Sequence, residues 1–113
     1  MNVLVVDDDV VTRMLMARQL SKLGCRVAMA ETGEMALTMI LGGRCSQYGV
    51  VFLDNHLPGI SGRSLVARLR ELQRQDYVVG VTGDVHPNTR QAYLAAGVNW
   101  LVIIVVKALK TVY

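Results

Sequence analysis

The sequence predicts an α/β fold, a single domain built on a doubly wound, five-stranded parallel sheet. Three observations carry this. Short runs rich in Val, Leu and Ile recur five times, as expected of strands buried on both faces. Longer amphipathic pieces separate them, which implies right-handed βαβ crossovers. No linker, repeat or low-complexity segment interrupts the alternation, and 113 residues suffice for one hydrophobic core.

The elements follow in order. "NVLVV" opens the chain as the first strand. Residues 10–23 form a helix, with Met14, Ala17 and Leu20 at helical spacing, Arg13, Arg18 and Lys22 between them, and Gly24 as the stop. "RVAMA" is the second strand, and residues 33–41 the second helix. "VVFL" leads into Asp54 as the third strand. Residues 62–75 make a helix whose Leu65, Leu69 and Leu72 oppose Arg68 and Arg70. "YVVGV" is the fourth strand, Pro87 opens a helix running to Gly97, and "WLVIIVV" is the fifth strand. The tail "ALKTVY" allows at most a turn or two, so a fifth helix is truncated or missing.

Composition narrows the function. About half the residues are apolar and 19% are charged, which excludes a disordered chain. No apolar run is long enough to span a bilayer, and no basic stretch precedes the first one, so a cytoplasmic protein, or the cytosolic part of a larger one, is expected. Cys25 and Cys45 form no CxxC pair and read as small buried or half-buried thiols. Asp7, Asp8, Asp9 and Asp54 are four of nine acids, leaving 12 bases against 5 acids elsewhere. Nine of those bases are Arg, scattered without aromatic interleaving. They read as solvated helix faces, and nucleic-acid binding is not predicted for this domain alone.

In open parallel sheets, ligands bind beyond the carboxyl ends of the strands. Here those ends carry oxygen. Asp7, Asp8 and Asp9 follow "VLVV", Asp54 follows "VVFL", and Thr82, Gly83 and Asp84 follow "VVGV". A carboxylate ending a buried strand is costly unless something uses it. Clustered carboxylates raise one another's pKa unless a cation neutralises them. An all-oxygen set without Cys or His suits a hard ion, and the absence of a calcium-loop pattern favours Mg²⁺. Asp9 is also placed to cap the helix that follows it.

Taken together, "VLVVDDD", "LDNHLPGISG", "VGVTGD" and "AAGVNWL" resemble, in order and spacing, the receiver domain of two-component response regulators. The resemblance covers nearly the whole chain and implies a flavodoxin-like, (βα)5-type fold. By it, Asp54 is the phosphoacceptor, served by a histidine kinase or a histidine phosphotransfer protein. Asp7 and Asp8 hold Mg²⁺ with Asp54 and the backbone carbonyl of His56. Thr82 is the switch hydroxyl, and Pro58 and Gly62 shape the loop. The implied role is a signalling domain rather than an enzyme. His56 reads as a solvent-facing rim residue and His86 as an ordinary loop residue.

The chain departs from the family in three places. The family lysine and proline of the fifth strand fall on Ile104 and Val105, and the nearest lysine is Lys107. An offset of three moves a side chain about 10 Å along the strand and to the other face, so Lys107 substitutes only if the backbone loops back. The aromatic that usually accompanies the switch threonine falls on Leu101, beside Trp100. The short tail leaves "LVIIVV" without a covering helix, so a homodimer through this end, or a longer chain that supplies the helix, is expected. Two other readings compete. One is a pseudo-receiver, an interaction module with little phosphorylation. The other is a haloacid-dehalogenase-like phosphatase with Asp7 as nucleophile and Asp9 as acid, which leaves Asp54 unexplained.

Overall fold

A computed structural model describes residues 1–42, 47–84 and 86–104. Within them the chain alternates β1 (Asn2–Val6), α1 (Val10–Lys22), β2 (Arg26–Ala30), α2 (Gly33–Leu41), β3 (Val50–Asp54), α3 (Gly62–Glu71), β4 (Val78–Thr82), α4 (Pro87–Ala96) and β5 (Trp100–Ile103). All strand pairings are parallel, in the order β2-β1-β3-β4-β5. The order reverses between β1 and β3, which opens a crevice at their carboxyl ends. Cys45, Val105, Lys107 and the tail lie outside the described residues.

The helices begin where the sequence offers caps. Asp9, Thr32, Ser61 and His86 each accept a backbone N–H from the first turn of the helix they precede, as N-caps do. His86 is therefore more than a loop residue: its Nδ1 accepts from Asn88 N at 3.2 Å. Gly97 ends α4 with φ +117°, a conformation that favours glycine.

Most of the core lies on one face of the sheet. Leu4, Val6, Val51, Leu53 and Val78 pack there against Ala36 and Ile40 of α2, Leu65, Val66 and Leu69 of α3, and Tyr93 of α4. Alternate strand residues turn Val3, Val5, Val79 and Val81 to the opposite face, where they are also buried. That second face is less completely covered. Trp100 and Val102 pair with Val79 and Val81 yet stay exposed, Trp100 at 63%.

Two helices depart from the periodicity reading. Met14 was expected on the inner stripe of α1 but is 61% exposed, and Thr12 is the buried residue of that helix. Helix α1 packs on β2 and β1, so only the stripe that faces those strands is buried. The third helix stops at Glu71 instead of residue 75. Leu72 closes it, Gln73 takes φ +60°, and Arg74 turns back to form a bidentate ion pair with buried Asp76, at 2.7 and 3.1 Å.

Candidate phosphoryl and metal site

The sheet register assembles the acidic group. Val6 pairs with Leu53, so the next residues along each strand, Asp7 and Asp54, come level at neighbouring strand ends. Adjacent strands lie about 4.8 Å apart, the reach of a shared ion. Asp7, Asp8 and Asp54 each offer a carboxylate oxygen, and these oxygens lie within 4.8 Å of one another. Asp7 and Asp54 are buried, Asp54 to 1% exposure, while Asp8 faces solvent. The donors are all hard oxygens, so the set fits Mg²⁺ in both chemistry and placement.

Backbone around the cluster is fixed by short-range bonds. Asp9 N donates to Asp7 Oδ1 at 2.9 Å, and an Arg13 guanidinium nitrogen donates to the Asp7 carbonyl at 2.6 Å. His56 N donates to Asp54 Oδ1 at 3.2 Å, while the His56 residue as a whole stays exposed on the rim. Asp9 points elsewhere. Its carboxylate accepts from both the backbone N–H and the hydroxyl of Thr12, which commits it to capping α1 and leaves a proton-donor role without support.

The loop after Asp54 is organised by residues the sequence reading passed over. Asn55 is buried; its carbonyl accepts from Leu57 N and Gly62 N, and its Oδ1 accepts from Arg63 N. Glu34 reaches from α2 to accept from Ile60 N at 3.0 Å. Asn directly after a strand is a turn signal, so Asn55 could have been found; Glu34 lies 26 residues away and could not.

Thr82 ends β4 one residue beyond the partner of Asp54, with no exposed surface. Its Oγ1 accepts from Asp84 N at 3.0 Å. Asp84 in turn accepts from His86 N at 2.8 Å and from the Thr89 hydroxyl at 2.9 Å. These bonds, the His86 N–H first, hold the Asp84 carboxyl below the usual carboxylate range, with His56 and His86 adding electrostatic support. Ile104 follows β5, and its backbone N–H donates to the Thr82 carbonyl at 2.9 Å. Its side chain joins Thr12, Leu15, Met16 and Leu20 around an apolar hollow beside α1.

A doubly wound sheet with an acidic trio at its switch point defines an α/β domain able to hold a hard cation at its strand ends. The family comparison makes the class specific: residues 3–108 match the model of the response regulator receiver domain, and the chain belongs to that family. It is therefore a receiver domain of two-component signalling with the flavodoxin-like fold. It is 32% identical over 99 residues to a two-component response regulator of Arabidopsis thaliana, covering 87% of this chain and 69% of that one. To the virulence sensor protein BvgS of Bordetella pertussis it is 35% identical over 106 residues, covering 88% of this chain and 8% of that protein. Of several relatives named as sensor proteins or histidine kinases the chain spans only 4–10% of the length. Among solved structures, the response regulator TrrA of Thermotoga maritima in complex with Mg(2+)-BeF superposes with a TM-score of 0.79 at 26% identity, covering 99% of this chain and 98% of that one. Among the described residues, no helix is long and apolar enough to cross a membrane.

Proposed function

We propose that this domain accepts a phosphoryl group on Asp54 from a phosphohistidine, with Mg²⁺ held by Asp7, Asp8, Asp54 and the backbone carbonyl of His56. One observation carries the reading: three carboxylates converge within 4.8 Å at the crevice, and one of them ends the central strand. The bound ion supplies neutralisation of charge on the phosphoryl oxygens. The rest is positioning, which phosphoryl transfer chiefly needs. An Asp54 Oδ forms the new P–O bond as the P–N bond to the imidazole breaks. The imidazole leaves with the bonding pair, and a mixed anhydride stands on Asp54. The His56 N–H on Oδ1 fixes the rotation of the carboxylate.

The new group carries about −1.5 to −2 charges. Thr82 is the hydroxyl that turns toward it, giving up the Asp84 N–H. The donor is a histidine kinase or a histidine phosphotransfer protein, since relatives named as sensors and kinases match this chain. The setting is the cytoplasm, or the cytosolic part of a larger signalling protein. Asp54 is a substrate in this chemistry, so the domain is no enzyme beyond promoting its own transfer and hydrolysis.

A pseudo-receiver reading has one observation in its favour. An aliphatic Ile104, turned toward α1, stands where the family lysine is expected. Lys107, the doubtful substitute, lies outside the described residues. The two readings separate on transfer from a phosphorylated histidine phosphotransfer protein in Mg²⁺. Label that moves to this chain, and fails to move to Asp54→Asn, supports the phosphoacceptor. No transfer from any donor supports the interaction module.

A further inference from the structure

We infer that Tyr93 is a positioning residue that transmits the state of Asp54 to helix α4, through its hydroxyl on the backbone carbonyl of Leu53. The inference rests on the phosphoacceptor reading. Among the described residues Tyr93 is the largest fully buried side chain, with no exposed surface, and its hydroxyl donates to the carbonyl of the residue just before Asp54. A core Phe would fill the same volume without that bond.

The path of the ring is cleared by two glycines from two other elements. A Cβ at Gly62, the first residue of α3, would meet the Asp54 carbonyl oxygen first and would lie 2.7 Å from the Tyr93 hydroxyl. A Cβ at Gly80, in the middle of β4, would lie 2.8 Å from Tyr93 Cε2. Leu101 closes the same gap from β5, its Cδ1 3.0 Å from the same point. An aliphatic therefore stands on β5, and the aromatic that reaches the phosphoacceptor strand comes from α4.

Electrostatics agree with the geometry. Burial first, and the negative charge of Asp54 second, raise the phenol pKa far above its usual value. The hydroxyl thus stays protonated and donating. Helix α4 meets the site at two points. Its first turns hang on Thr82 through the bonds Asp84 N to Thr82 Oγ1 and Thr89 hydroxyl to Asp84 Oδ2. Its middle is fastened to β3 by Tyr93. If Thr82 leaves Asp84 to meet a phosphoryl group, the Tyr93 bond is the fulcrum about which the helix responds.

The test compares wild type and Tyr93→Phe with Mg²⁺ and beryllofluoride as the phosphoryl mimic. Fluorine NMR reads occupancy at Asp54, and amide hydrogen exchange reads residues 86–96. In wild type, binding should change exchange across α4 by about tenfold, a sub-global shift. In Tyr93→Phe the mimic should still bind, while the bound-to-free exchange ratio falls below about twofold. A bond that merely stabilises would alter exchange equally in both states, so an unchanged ratio overturns the inference. Should Tyr93→Phe fail to fold, 4-fluorophenylalanine at position 93 decides instead: it fills nearly the space of the hydroxyl but cannot donate, so a ratio below about twofold supports the inference and an unchanged one overturns it. Wild type that takes up no beryllofluoride defeats the phosphoacceptor reading, and this inference with it.

Discussion

A methyl group at Gly62 would press first on the Asp54 carbonyl oxygen, then on the Tyr93 hydroxyl, 2.7 Å away, and on the Asn55 Cα, 2.8 Å away. Since backbone is one of the obstacles, relief is slight, and Gly62→Ala should cost about 2–3 kcal/mol, read as a shift of the urea midpoint. Asp8 is exposed and makes its contribution through charge, so Asp8→Ala should weaken Mg²⁺ binding by about tenfold or more in a calorimetric titration without unfolding the domain. Unchanged affinity would misplace the metal site. If Ile104 holds the position of the family lysine, the double change Ile104→Lys and Val105→Pro should speed acquisition of phosphate by about tenfold. The change turns a cation from the α1 hollow toward the carboxylates, and a cation that reaches the phosphoryl oxygens stabilises developing charge. No gain in rate would remove Ile104 from the lysine position. At this scale the sequence was legible where chemistry was out of place. A carboxylate ending a buried apolar run is anomalous by itself, which exposed Asp7, Asp8 and Asp54. Tyr93, Arg13 and Glu34 are ordinary residues in helical pieces, and what they hold is visible only once the chain is folded.

Helix α4 is tethered at both ends. Its C-terminus is gripped by Arg70 of α3, whose Nε and Nη2 donate to the Gly97 carbonyl at 3.1 and 2.9 Å, with Nη2 also on Asn99 Oδ1. Its N-terminus depends on ionised Asp84. The carboxyl is held below its unfolded value of 3.8, so its contribution is complete above that pH and is lost as the pH falls through the lower folded value. Exchange of the α4 amides should therefore accelerate below about pH 4 in wild type and show no such step in Asp84→Asn. Acid sensitivity that persists in the variant would assign it to another carboxylate. Element type and order could be read from the alternating runs and their caps. Boundaries were harder where a tertiary partner intervened: Arg74 leaves the helical path to pair with Asp76, a choice that local periodicity does not encode.

Over the whole molecule, the two faces of the sheet differ. The face beneath α2, α3 and α4 is sealed, while the α1 face leaves Met14, Leu15, Trp100 and Val102 exposed. Scattered apolar residues are ordinary, but Trp100 and Val102 lie on the same face of the edge strand β5, which suits association with a second copy. Light scattering should show a mass rising with concentration, and Trp100→Glu should abolish the rise; a constant monomer mass would refute the dimer. The most direct test of the domain's role is intact mass after incubation with acetyl phosphate and Mg²⁺, followed by peptide mapping. Wild type should gain one phosphoryl group on Asp54, and Asp54→Ala should gain none. A phosphoryl group on Asp7, or an Asp54→Ala protein labelled as fully as wild type, would contradict the assignment of Asp54 as the phosphoacceptor.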